Sequence, residues 1–175
     1  MLNRIIGVFT LNADTFEEIE HDQSATTQAA MVVLAVALLG ALGGLIGALI
    51  GNQNILMAVI APIINAFVGW IVWSAAVYFV GTSLFGGRAD MGEMLRVVGF
   101  AYAPGVLGII PCIGWLVGLV WTLAAMVIAI RQGLDIDTGK AIITGVIGFI
   151  VVLVINLVIG MVFGVGTAAL GALTG

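Results

Sequence analysis

Every charged side chain of this 175-residue chain lies in one of three short segments, and the long runs between them carry no charge. The fourteen charged residues, five basic and nine acidic, occupy the first 22 residues, the stretch from Arg88 to Arg96 and the stretch from Arg131 to Lys140. A bilayer has a hydrocarbon core about 30 Å thick, which a helix crosses with about 20 apolar residues. Lipid offers no hydrogen bonds, so each backbone amide must be satisfied within the chain, and long uncharged runs fold as helices. The pattern therefore predicts an all-α integral membrane protein, with short charged connections joining apolar helices.

Composition narrows the function classes. Charged residues make up 8% of the chain and hydrophobic ones 62%, whereas soluble domains carry roughly 25% charge. No room is left for a soluble catalytic domain. The net charge of −4 comes from the N-terminal segment, where Arg4 stands among Asp14, Glu17, Glu18, Glu20 and Asp22. Each later segment balances two bases against two acids, so no basic patch for nucleic acid exists. Cys112 is the sole cysteine, which excludes an intrachain disulfide. His21 has no second ligand at metal spacing, and no nucleophile with a base or phosphate loop is present. The sequence predicts no enzyme and no cofactor.

The lengths between the charged segments predict five spans, at about 29–50, 55–80, 94–110, 114–130 and 141–163. Residues 1–28 form an N-terminal segment ahead of them. The stretch Val97 to Ile130 is too long for one crossing, since as a single helix it would extend roughly 50 Å. The run Pro111-Cys112-Ile113-Gly114 breaks it into a central helical hairpin, read as two spans, with a re-entrant hairpin that never crosses as the alternative. Arg96 allows the third span to extend into the charged flank by snorkelling. Pro62 is expected to kink the second span. With five crossings all five bases share one face, and the positive-inside rule makes that face cytoplasmic, with the C-terminus outside. This predicts a multi-pass protein of the plasma (inner) membrane.

The N-terminal segment reads in two ways. Leu2, Ile5, Ile6 and Phe9 form one apolar face of a short interfacial helix; the alternative is a solvated tail. Thr15 with Glu18 fits a capping box for a second helical turn, and Asp22 or Ser24 caps the first span.

Glycines recur four apart at Gly40 and Gly44, Gly43 and Gly47, Gly47 and Gly51, Gly114 and Gly118, and Gly160 and Gly164. Such stripes let helix backbones approach closely, within the bundle or against a second copy. Asn65 and Asn156 are amides inside spans and are expected to face inward, where partners exist. No Asp, Glu or Lys lies inside a span, which removes the usual mark of an ion-coupled transporter. Glu93 and Arg96 are spaced to pair across a helical turn. Trp70, Trp73, Trp115 and Trp121 are apolar-face or interfacial residues. The charged connections offer Arg88, Asp90, Glu93, Arg96, Arg131 and Asp135 as docking candidates.

The segment from Gly86 to Ala141 carries a resemblance. Gly86-Gly87, Leu95-Arg96 followed by Gly99-Phe100-Ala101, then Pro104, the Pro111 turn and Gly133-Leu134 are similar to the Yip family of membrane proteins, named for interaction with Ypt and Rab GTPases. The resemblance implies a five-span bundle, a Yip-like transmembrane domain over 29–175 and a cytoplasmic N-terminus. Eukaryotic members bind prenylated Rab GTPases through a long N-terminal region. Here about 28 residues precede the first span, which argues against a Rab-type GTPase and resembles short prokaryotic members. The expected function is a non-enzymatic scaffold or membrane-organising bundle, partnered by the lipid bilayer and by other membrane proteins or a second copy. The alternatives are an accessory subunit of a respiratory or photosynthetic complex and a small transporter or channel.

Overall fold

The computed structural model describes residues 1–51, 54–110 and 113–174, with only the helical backbone given for 156 and 159–174. Its described residues form seven α-helices and one 3₁₀ segment, without strands. Two short helices come first, α1 (Leu2–Phe9) and α2 (Ala13–His21). They lead into α3 (Ala25–Gly51) and α4 (Ile55–Phe85). Next come α5 (Met91–Ala101), the 3₁₀ segment (Ala103–Ile109), α6 (Gly114–Gly133) and α7 (Thr138–Thr174).

Four helices are long and apolar enough to cross a membrane: α3, α4, α6 and α7, the last judged over Thr138–Ile155. They correspond to the first, second, fourth and fifth expected spans and extend further at their ends. The third expected span differs. It is not one α-helix, because α5 stops at Ala101 and the chain continues as the 3₁₀ segment. Pro104 has no amide hydrogen and cannot propagate an α-helical ladder. The tighter spiral keeps main-chain groups paired, with Gly105 donating to the Tyr102 carbonyl at 2.9 Å and Ile110 to that of Leu107 at 3.0 Å. Pro62, by contrast, sits inside an unbroken α4.

Hairpin packing is set by glycines. A Cβ on Gly114 would collide with the Leu107 carbonyl, and one on Gly118 would lie 3.3 Å from Gly108 N and Pro104 O. At the other end of α6, a Cβ on Gly133 would lie 2.8 Å from Val97 Cγ2. Helix α6 therefore runs antiparallel along both the 3₁₀ segment and α5; the expected break at Pro111 and Cys112 lies outside the described residues.

Beyond the hairpin, α3 packs on α4 and α5, and α4 packs on α7 and α5. Gly44 is the close-approach point between α3 and α4, because a Cβ there would lie 2.5 Å from the Ala58 carbonyl oxygen. The other glycines of the expected α3 stripes are looser. Gly40 has only Pro62 Cβ within reach, at 3.9 Å, and a Cβ on Gly43 or Gly47 would meet open space. Gly51 is exposed. Gly160 and Gly164 lie among the residues whose surroundings are not described.

Two left-handed turns close the charged end. Gly86, at φ +67°, caps α4, and Gly87 donates to the Gly81 carbonyl at 3.0 Å. Leu134 then fills the notch at Gly81 and Gly87, and its carbonyl accepts the Arg88 amide at 2.9 Å. Gly86-Gly87 and Gly133-Leu134 are far apart in sequence, yet they form a single contact.

The glycine geometry separates positions that spacing alone cannot. Gly44→Ala is expected to cost about 1–3 kcal/mol by forcing a Cβ onto a backbone carbonyl, read as a lower thermal midpoint in detergent. Gly43→Ala and Gly47→Ala should leave the midpoint unchanged; an equal loss at all three would refute this packing.

Candidate functional site

Charged residues outside the apolar helices gather where α2, α5, α6 and the α6–α7 turn meet. Helix α2 starts at Asn12, whose side chain accepts the Asp14 amide at 2.9 Å. The expected Thr15–Glu18 capping box does not form; Thr15 instead packs on Gly7 of α1. Phe16 and Ile19 of α2 and Val8 of α1 are completely buried in the main core. The N-terminal segment is therefore part of the bundle and not a solvated tail. Of the expected interfacial face, Ile5 and Phe9 turn toward the core while Leu2 and Ile6 stay exposed.

Three polar contacts fix these helices in place. Arg96 of α5 is buried, and its Nε and Nη2 donate to the main-chain oxygen of Glu20 at 2.9 and 2.5 Å. Trp121 of α6 donates its indole N–H to the Phe9 carbonyl at 2.8 Å, meeting a carbonyl left free at the end of α1. Gln132 of α6 donates to Glu17 at 3.0 Å. On the outer side, Arg4 bridges Glu18 at 2.8 Å and Asp22 at 2.6 Å. The Asp22 carboxylate also takes the Ser24 amide and hydroxyl at the start of α3. The Ser24 bonds, with Arg4 beside them, hold Asp22 down at about 2. Glu20 moves the other way: burial, then Asp135, Glu17 and Glu93, push its carboxyl up to about 7.

The expected Glu93–Arg96 pair is replaced by two separate roles. Glu93 closes a capping box with Asp90, accepting the Asp90 amide at 2.6 Å while Asp90 accepts that of Glu93 at 2.7 Å. That leaves Arg96 to reach α2, with its head under the N-terminal helices. Among the other docking candidates, Arg88, Asp90, Arg131 and Asp135 are exposed. Arg88 and Arg131 have no side-chain hydrogen bond or ion pair among the described residues. Asp135 sits at φ +53°, in the turn that starts α7.

The intramembrane candidates separate differently. Asn65 is exposed on α4 with no hydrogen-bond partner among the described residues, so the expectation that it faces inward does not hold. The Asn156 side chain lies outside the described residues. The indoles have roles that spacing did not reveal. Trp70 is buried and donates to the Leu95 carbonyl at 2.9 Å, and Trp73 approaches Met126 Sδ at 3.3 Å. Trp115, just past the hairpin turn, is 62% exposed, as an interfacial anchor requires.

A family model described as Yip1 domain matches residues 6–173, from within α1 to the end region of α7. Neither the curated proteins nor the solved structures give a match.

Arg96 carries the first test of this junction. Arg96→Met keeps most of the apolar stem but leaves the buried Glu20 carbonyl without its charged donor, worth about 1.5–3 kcal/mol. Amides of α1 and α2 should then exchange hydrogen faster while α3, α4 and α6 keep their protection. Unchanged exchange over residues 2–21 would contradict the assigned role.

Proposed function

This chain belongs to the Yip1 domain family, and from that premise we propose that it is a non-enzymatic, five-span membrane scaffold whose charged end docks a partner protein or a second copy. The observation that carries the reading is the state of its five bases. Arg4 is held by Glu18 and Asp22, Arg96 by the Glu20 carbonyl and Lys140 by Asp137. The side chains of Arg88 and Arg131 are exposed and have no partner among the described residues, and they flank the junction at which the Arg88 main-chain amide donates to the Leu134 carbonyl. An uncommitted guanidinium suits bidentate recognition of a carboxylate or phosphate on a partner.

A scaffold reading also accords with the clefts in the membrane region. The cleft between α4 and α7, of about 560 Å³, is lined by Ile71, Val72, Phe79 and other apolar residues, with Ser83 the one hydroxyl among the described residues that line it.

The five-crossing reading adds the composite arm to the four long helices. Eleven α-helical and seven 3₁₀ residues rise together about 30 Å. That equals the rise of α6, its antiparallel partner, at 20 residues. Five crossings bring all bases to one face, and the positive-inside rule then places the N-terminus in the cytoplasm of a plasma (inner) membrane.

Two measurements test the reading. Extraction in mild detergent followed by native mass measurement should give an oligomer or a defined larger complex, which Arg88→Glu with Arg131→Glu dissociates. Recovery as a lone monomer would reject the scaffold. Topology reporters at Gly51 and Gly175 should read extracytoplasmic and those at Gly87 and Gly133 cytoplasmic; a cytoplasmic Gly175 would reject five crossings.

A further inference from the structure

Helix α2 buries a carboxyl group that no neighbour neutralises. Glu20 is 4% exposed, and its Oε2 finds no hydrogen-bond partner among the described residues. Arg96 lies against the same residue but commits Nε and Nη2 to the main-chain oxygen. The other groups that act on the carboxyl are mostly acids: Asp135 in the α6–α7 turn, Glu17 on α2 itself and Glu93 on α5. His21 is the one opposing charge among them, and it is exposed and bonded to the Glu17 carbonyl. Arg4 is engaged elsewhere, with Glu18 and Asp22. Acids therefore dominate the surroundings of this carboxyl, while the bases Arg96 and Arg4 spend their hydrogen bonds on other oxygens.

We propose that Glu20 is a proton-operated latch for the N-terminal helices: its neutral form lets α1 and α2 lie against the α5–α6 hairpin, and its ionised form drives them away. An ionised carboxylate buried without a partner costs far more than a neutral acid. Release would uncover Val8, Phe16 and Ile19, which are completely buried in the docked state, along with the hairpin surface around Arg96. The charged end thereby gains an apolar face whose exposure rises when the proton is lost.

The direction of the pH effect follows from linkage. The docked carboxyl titrates near 7, against the ordinary value of 4.5 that the released helix restores. Docking is therefore strongest at and below pH 4.5. It weakens as pH rises, because the released state gives up its proton first, and levels off above pH 7. Between pH 5 and pH 8 the docking equilibrium should fall roughly 70-fold.

Hydrogen exchange on the full chain in phosphatidylcholine nanodiscs reads this directly as protection factors for amides of α1 and α2. The wild-type protein should lose roughly 70-fold protection from pH 5 to pH 8, while Glu20→Gln loses most of that fall and His21→Gln, lacking the charge that favours the ionised form, keeps the fall with its midpoint moved to higher pH. Constant wild-type protection, or the same fall in Glu20→Gln, would overturn the latch. If Glu20→Gln does not fold, Asp135→Asn carries the test. Removing that repulsion must move the midpoint to lower pH, and an unmoved midpoint overturns the proposal equally.

Discussion

A guanidinium taken out of water must recover its hydrogen bonds from the protein, and Arg96 recovers them from the Glu20 main-chain oxygen. A carbonyl that takes two charged donors fixes the position of α2. With α2 in place, Phe16 and Ile19 enter the core, and α1 comes to lie where Trp121 can take the Phe9 carbonyl. The same placement leaves the Glu20 side chain among acids, since the one nearby cation committed to it binds its backbone. The charged end is therefore a packed layer tied to the hairpin.

The hairpin in turn depends on how its first arm is made. A change to 3₁₀ pitch after Ala101 lengthens this arm without adding residues. A narrower 3₁₀ cylinder would leave a gap against its neighbour. Gly114 and Gly118 close it by bringing the α6 backbone onto Pro104, Leu107 and Gly108. At the opposite end Gly133 does the same against Met94 and Val97, and Leu134 continues the contact into Gly81 and Gly87. The glycines that set this packing, Gly81, Gly87, Gly114, Gly118 and Gly133, stand where a neighbouring element leaves no room for a Cβ.

Legibility in the sequence followed the same division. Charge-free run lengths placed α3, α4, α6 and α7, because in lipid a run of that length has only one way to satisfy its backbone. The hairpin was readable from Pro111 and Gly114, but the change of pitch within its first arm was not. Glycine spacing identified a packing surface on α3, yet it could not choose between Gly44, which meets Ala58, and Gly43 or Gly47, which meet nothing. Asn65 was misplaced because α4 is apolar all round, leaving no periodicity to orient it. The Arg96 partner was invisible for a simpler reason. It is a main-chain oxygen, to which no residue type in the sequence gives a clue, while Glu93 offered a side chain at the right spacing and was instead used by Asp90.

The functional account rests on the N-terminal helices being an integral layer over the hairpin, leaving Arg88 and Arg131 as the exposed bases beside it. The most direct test is a spin-label distance between Glu17→Cys and Gln132→Cys in a Cys112→Ala background, measured on the protein in nanodiscs at pH 5. These two side chains are hydrogen-bonded at 3.0 Å across the α2–α6 boundary. The account predicts one narrow distance population at short range. A broad distribution centred at long range would show that the N-terminal segment is not seated on the hairpin, and would contradict it.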